Sequence, residues 1–201
     1  MVYTGIRDIL LVVDNLTELN LHGVSPSITL QLFSDCPPES VRFRLRHFTY
    51  ILSSKHNPEL LKFLSCQSRL EELVCMAHEV GPRPFLHDST APAESSVLPQ
   101  LKSLTGAPEI TLLLVPGRPV SKITINWISL QMTGPVLSGI SLTTAPLVYL
   151  SVEMPNSSKS GEGVLMWLSG LSRFHESLET FSFRMTTRVS GPNTVQLSTN
   201  R

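Results

Sequence analysis

Three arginines alternate with apolar residues in the segment VRFRLR. Arg42, Arg44 and Arg46 are two residues apart, so an extended strand would place all three on one face. Guanidinium groups bind carboxylates and phosphates through paired hydrogen bonds. The spacing therefore predicts a basic stripe that contacts an acidic or phosphorylated peptide. The plainer alternative is a solvated strand face whose arginines pair with Glu18 and Glu72.

Other residues that could do chemistry have equally plain alternatives. Cys66 or Cys75 could form a thiol–imidazole pair with His78, but Cys75 also fits a buried strand position. Arg118, in the segment VPGRPV, could hold an anion, or could belong to a turn between a helix and a strand. The six histidines are scattered without metal-ligand spacing.

The chain contains none of the G-x-S-x-G, H-E-x-x-H, G-x-x-x-x-G-K-[ST] or G-x-G-x-x-G motifs. We therefore predict a protein that is not an enzyme and that has no metal and no cofactor. Two alternatives are left open. One is a small α/β enzyme of unrecognised type, with its site at the carboxyl ends of its strands. The other is a structural fragment of a longer repeat array, whose terminal repeats would need caps that this chain does not supply.

Composition sets the class of molecule. The 201 residues include 41% hydrophobic and 16% charged residues, which predicts a folded domain with a real core. The formal net charge of zero argues against a general nucleic-acid or membrane-surface binder. Three cysteines without a C-x-x-C pair, together with no secretory hydrophobic segment, predict reduced thiols in the cytoplasm or nucleus.

The elements that would position these residues follow from one segment, LTELNLHG. Leu16, Leu19 and Leu21 have the L-x-x-L-x-L spacing of a leucine-rich-repeat strand, and Gly23 allows the chain to turn. The same spacing returns down the chain at intervals of roughly 22 to 32 residues, near the range of such repeats. The predicted strands are 16–21, 41–45, 70–75, 98–106, 123–127, 147–152 and 178–183.

Helical periodicity separates these strands. The predicted helices are 6–13, 27–33, one that opens at Asn57, 108–115, 132–142 and 164–171. In the last of them Leu165, Leu168 and Leu171 are expected to face inward. Residues 79–97 lack any period and predict a long loop.

The predicted fold is α/β, an irregular leucine-rich-repeat-like solenoid of about seven repeats, with parallel strands on the concave side and helices on the convex side. It covers residues 1–185, with the loop 79–97, and residues 186–201 form a C-terminal tail that is expected to fray. A doubly wound α/β domain is the competing prediction. Polar residues on one face of several strands favour the solenoid, because a sheet covered on both faces has continuous apolar strands.

Four segments, LTELNLHG, FLSCQSRLEEL, LPQLKSLTG and VPGRPV, make the chain similar to the leucine-rich-repeat region of fungal F-box-type proteins. The resemblance covers residues 6–185. It implies a solenoid that recognises a protein, with an F-box elsewhere that engages a cullin-type ubiquitin ligase. We find no F-box in the sequence, so ubiquitin-ligase subunits are expected partners only if an F-box lies upstream.

The sequence therefore predicts a protein-recognition module that binds a protein partner through its concave face, and neither nucleic acid nor a membrane. The residues expected on that face share strand positions that point away from the apolar ladder. They are Asn20, His22, Arg42, Arg44, Arg46, Glu72, Met76, Thr124, Asn126, Tyr149, Ser151, Glu153 and Arg184.

Overall fold

The computed structural model describes residues 2–35, 40–52, 58–77, 93–156, 160–186 and 193–198. Within them the helices are α1 (Val2–Val12), α2 (Pro26–Asp35), α3 (Pro58–Ser65), α4 (Pro108–Leu114), α5 (Leu130–Ile140) and α6 (Ser160–Leu171), and a 3₁₀ turn (Ser172–Phe174) follows α6. The strands are β1 (Glu18–Asn20), β2 (His47–Leu52), β3 (Glu72–Ala77), β4 (Ser103–Gly106), β5 (Lys122–Ile125), β6 (Tyr149–Pro155), β7 (Thr180–Thr186) and β8 (Asn193–Ser198).

All the described strands belong to one open sheet, and their order in space is their order in the chain. The seven strands β1 to β7 are parallel to one another, and β8 pairs antiparallel with β7. The α/β class predicted from the sequence is confirmed. Helices connect most of the consecutive strands, as parallel pairing requires.

One face of the sheet is buried, and it carries the apolar ladder. The register aligns Leu19, Phe48, Leu73, Leu104, Ile123, Leu150 and Phe181 across seven strands. All of these except Leu19 are buried, and they join side chains from the helices in a single core cluster. Consecutive helices also pack side by side, α1 on α2 and α2 on α3, and then α4 on α5 and α5 on α6.

The same hydrogen-bond arrangement recurs where each parallel strand begins. The amides of Arg46 and His47 both donate to the carbonyl of Thr17, at 2.7 and 3.1 Å. Five further carbonyls each receive two consecutive amides from the next strand in the same way, those of Arg46, Glu71, Lys102, Ser121 and Val148. Six successive strand pairs therefore start with one repeated backbone geometry.

The second predicted strand is wrong in position. Residues 41–45 form an unpaired segment before β2, although Val41, Phe43 and Leu45 are buried. The alternation of apolar residues therefore indicated correctly which side chains are buried, but the segment does not pair with a neighbouring strand. Phe48 aligns with Leu73 and takes the strand position that the sequence assigned to an earlier residue.

The buried side of α6 also differs from the prediction. Leu165 and Leu168 are exposed, by 68% and 44%, whereas Trp167 is fully buried. The tryptophan has more apolar area to bury than a leucine, and it takes the inward position. Gly163 leaves room on the same side, because a methyl group there would lie 2.6 Å from the Met154 sulfur of β6.

Two further predictions concern the C-terminal tail and the loop 79–97. The tail expected to fray contains β8, whose sequence NTVQLS alternates apolar and polar residues. An added strand pairs the backbone groups that β7 would otherwise leave open. Of the predicted loop 79–97, residues 79–92 lie outside the described residues, as does His78.

Candidate interaction face

The second face of the sheet, here named the open face, carries the alternate strand positions. Its side chains are half-buried or exposed in the described strands β1 to β7, with the exception of Ser182, which is 9% exposed. They form in-register rows because parallel strands align equivalent positions. A surface built in this way is continuous across about seven strands, spaced ~4.8 Å apart.

The row at the amino-terminal end of the strands mixes charges. Its members, in order from β1 to β7, are Glu18, His47, Glu72, Ser103, Lys122, Tyr149 and Thr180. His47 Nε2 lies 4.0 Å from a carboxylate oxygen of Glu72, so only a protonated imidazole would form an ion pair there. Lys122 is exposed and has no ion-pair partner among the described residues.

The middle row is dominated by hydroxyl groups. It runs through Asn20, Thr49, Val74, Thr105, Thr124, Ser151 and Ser182. The Thr105, Thr124 and Ser151 hydroxyls have no hydrogen-bond partner in the described part of the protein and are half-buried. A hydroxyl can donate and accept, so this row offers adaptable hydrogen bonds to an approaching molecule.

The carboxyl-terminal end of the open face combines charge with apolar surface. Met76 is 39% exposed, next to Ile51 in the register. Glu153 aligns with Arg184 across β6 and β7.

Trp127, which the sequence placed inside the fifth strand, lies just after β5. Its φ is +59°, an uncommon conformation for a bulky side chain, and the indole is half-buried. The adjacent amides are engaged, since Asn126 N donates to the Gly106 carbonyl and Ile128 N to the Glu153 carbonyl, both at 2.9 Å. These two bonds hold the tryptophan at the edge of the sheet.

The predicted basic stripe does not form on the sheet. Arg42 and Arg44 precede β2; Arg44 donates to the carbonyls of Val41 and Phe43, at 3.1 and 2.9 Å. Arg42 lies 3.9 Å from the Asp14 carboxylate. The stripe was predicted from the alternation of residues 41–46, and it fails because the strand begins at residue 47.

Arg46 instead belongs to a charge network at the start of β2, β3 and β4. Its Nη2 lies 2.7 Å from Glu71 Oε1, and Lys102 Nζ lies 3.0 Å from Glu71 Oε2. The two cations hold the pKa of Glu71 below its usual value through these hydrogen bonds. The alternative prediction paired the arginines with Glu18 and Glu72, but the partner of Arg46 is Glu71.

The remaining predicted face residues divide between strands and a turn. Seven of them lie on strands of the open face: Glu72, Met76, Thr124, Tyr149, Ser151, Glu153 and Arg184. Asn126 was also expected on this face, but it follows the end of β5. Asn20 ends β1, and its Oδ1 accepts a 2.9 Å hydrogen bond from the His22 amide in the turn that follows. The sequence missed Lys122, Ser103 and Thr105, although each lies one residue before an apolar ladder position or directly after one.

Arg118 is not available to an anion. The residue is fully buried, and its guanidinium donates to the backbone carbonyls of Ala93, Glu94, Val97 and Pro116. Its role is to hold residues 93–97 against the turn after α4. The alternative prediction, a turn between a helix and a strand, describes this residue correctly.

Cys75 is buried, and burial raises the pKa of its thiol to about 12. The Tyr50 hydroxyl beside it also has a raised pKa, from burial first and the neighbouring thiol second. Such a thiol stays protonated at neutral pH, which is the opposite of an activated nucleophile. His78, which the sequence suggested as the partner of Cys66 or Cys75, lies outside the described residues.

The described residues contain no group of three or more histidine, cysteine, aspartate or glutamate side chains that could hold a metal ion. Comparisons with protein-family models, curated proteins and solved structures find no match to this chain. None of the described helices has the length and apolar character needed to cross a bilayer.

Proposed function

We propose that this chain is a protein-recognition module and not an enzyme, and that its open face binds the partner. The observation that carries the proposal is the one-sided sheet. Seven parallel strands bury one face under helices and leave the other as a continuous polar surface. When helices cover one face of a sheet and not the other, the solvent-exposed face remains accessible to another molecule.

The architecture we propose is a leucine-rich-repeat-like solenoid. Sequential strand order and the six repeated pairs of hydrogen bonds at the strand starts support it, because they mean that each unit contacts its neighbours in the same way. The apolar ladder in register supports it as well. In this arrangement the open face is the concave side.

The chemistry of the open face suits a protein. Tyr149 supplies aromatic surface, and the half-buried Trp127 lies at the edge of the sheet just after β5. The hydroxyls of Thr124 and Ser151 lie in the middle row. Aromatic residues supported by small hydroxylated ones are the usual content of protein-binding surfaces. Because Arg42 and Arg44 do not lie on the sheet, an acidic segment of the partner would contact Lys122 and Arg184, both exposed on the open face.

A substitution on each side of the sheet tests the location of binding. Peptides selected from a random display library on the purified chain should bind the Ser151→Arg variant at least about tenfold more weakly, since an arginine fills the middle of the face. Ser138→Arg, on the exposed side of α5, is the matched control and should bind normally. Equal binding to both variants, or a library that yields no binder, would contradict the proposal.

The acidic segment has its own test. Selected peptides that carry aspartate or glutamate should lose affinity for Lys122→Glu and Arg184→Glu, because like charges repel. Arg69→Glu, exposed in the turn after α3, should leave binding unchanged. Neutral peptides that bind all three variants equally would remove the acidic segment from the proposal.

We further propose, from the resemblance described above, that the module is the substrate-binding part of an F-box-type ubiquitin-ligase adaptor. The genomic sequence upstream of Met1 tests this idea directly. An F-box in frame supports it, and co-purification of that longer product with cullin-ligase subunits is the expected biochemical result. A longer product without such subunits would restrict the function to recognition alone.

A further inference from the structure

The helix α6 presents an apolar outward surface. Leu165, Met166 and Leu168 are exposed by 68%, 40% and 44%. Other large apolar side chains with comparable exposure among the described residues are Ile9, Val12, Met76 and Leu142. The opposite side of the helix is committed to the core, since Trp167 is buried and a methyl group at Gly170 would collide with Leu137 of α5. The exposed leucines and methionine therefore face away from both the sheet and α5.

Charged residues border this surface at both ends. Glu162, in the first turn of α6, and Arg173, in the 3₁₀ turn after it, are exposed. Neither has an ion-pair partner among the described residues. At 100° per residue, positions 162, 165, 166 and 169 share one side of α6, and Arg173 follows in the 3₁₀ turn beyond the end of the helix. Leu165 and Met166 therefore lie between the two charges along the chain.

This arrangement is complementary to itself. We propose that α6 is a docking surface for a second copy of this chain, in which the two α6 helices pack antiparallel about a two-fold axis. Glu162 then faces Arg173 of the partner subunit, and Arg173 faces Glu162 of the partner subunit. The apolar residues of both copies meet between these two ion pairs.

The two-fold symmetry and the small contact area determine the expected affinity of the dimer. A two-fold contact uses the same patch on both copies, so every favourable contact occurs twice. One helix from each copy buries less area than a permanent dimer does, so the complex is transient, with a dissociation constant in the micromolar range. The open face of the sheet stays free, because it lies on the opposite side of the molecule from α6.

Charge reversal tests the antiparallel pairing. In sedimentation equilibrium, Glu162→Arg and Arg173→Glu should each weaken the dimer about tenfold, because each places like charges together twice. The double variant Glu162→Arg/Arg173→Glu restores both pairs with exchanged signs and should return to within about twofold of the wild type. Glu18→Arg, on β1 at the other end of the sheet, is the control and should dimerise normally.

A second variant tests the apolar centre without disturbing the fold. Leu165→Ser should weaken the dimer at least about tenfold while lowering the monomer's unfolding temperature only slightly, since the side chain is already exposed and serine is only a somewhat weaker helix former than leucine. A chain that remains monomeric at about 200 μM overturns the proposal. The proposal is also overturned if Leu165→Ser leaves the dissociation constant of the dimer unchanged, or if the double variant dimerises as weakly as the single variants. It is overturned as well if the chain is a monomer whose α6 binds only helices of other proteins.

Discussion

Arg118 Nη2 donates a 2.7 Å hydrogen bond to the backbone carbonyl of Glu94, which lies 24 residues earlier in the chain. The same guanidinium also reaches the carbonyls of Ala93 and Val97, at 3.2 and 2.6 Å. Burial lowers the pKa of Arg118, but an arginine remains charged at neutral pH. One cation thereby fixes residues 93–97, which precede β4.

Removing this cation should loosen that segment. We expect Arg118→Met to lower the free energy of unfolding by about 3 kcal/mol, because four buried or part-buried backbone carbonyls lose their donor. Arg118→Lys should recover only part of the loss, since an ammonium cannot span the same acceptors. Urea denaturation measures both, and Arg69→Met, at an exposed site, controls for the loss of a positive charge. Equal stability of Arg118→Met and the wild type would contradict the anchoring role.

The Glu71 network predicts a pH dependence. Hydrogen bonds from Arg46 and Lys102 lower the pKa of Glu71 from 4.5, so the folded state binds this proton more weakly than the unfolded state does. The resulting stabilisation is complete above the unfolded pKa and is lost as the pH falls through the lower, folded pKa.

Denaturation at a series of pH values checks this sign. The wild type should be more stable than Glu71→Gln at pH 7, and the difference should shrink in acid, below about pH 4.5. Glu18→Gln, an exposed carboxylate on β1, is the control for removing one negative charge and should show a smaller difference. A gap between wild type and Glu71→Gln that stays constant into acid would assign the effect to something other than this carboxylate.

The sequence predicted the repeating part of the fold well. Six of the seven ladder residues, all except Phe48, stand at apolar positions of the predicted strands, because periodic apolar spacing indicates which side of a strand faces the core. The prediction failed where apolar residues are buried without belonging to a paired strand. Phe43 and Leu45 are buried in a segment that is not a strand, and Trp167 displaced two leucines from the inward side of α6.

The candidate site was predicted only where strand positions were right. Thr124 and Ser151 followed from the ladder, since the residue beside an inward one must face out. The positions of the arginines could not be predicted, because residues 41–46 and 47–50 both alternate apolar and polar side chains. In the structure only the second stretch pairs with a neighbouring strand. The conformation of Trp127 has no signal in the local sequence.

The buried thiol of Cys75 gives a chemical test of the core. With a pKa of about 12, it should react with a disulfide reagent at pH 8 only through opening of the protein. A Cys36→Ser/Cys66→Ser variant isolates this thiol, and we expect its native reaction to be at least about a thousandfold slower than in denaturant. The half-buried Cys66 thiol, isolated in the same way, should react faster. Rapid native labelling of Cys75 would place it outside the core.

Two glycines in α6 should respond to alanine with opposite signs. At Gly161 an added methyl group meets nothing within 4 Å, so Gly161→Ala should raise the free energy of unfolding by about 0.5–1 kcal/mol through helix propensity. At Gly170 the methyl group would collide with Leu137 of α5, so Gly170→Ala should lower it by about 1–3 kcal/mol despite the same propensity gain. Since the chemical change is identical and both sites lie in one helix, each variant is the control for the other in thermal or urea denaturation. Stabilisation by both would mean that α6 does not pack closely on α5, and the outward direction assigned to Leu165 would fall with it.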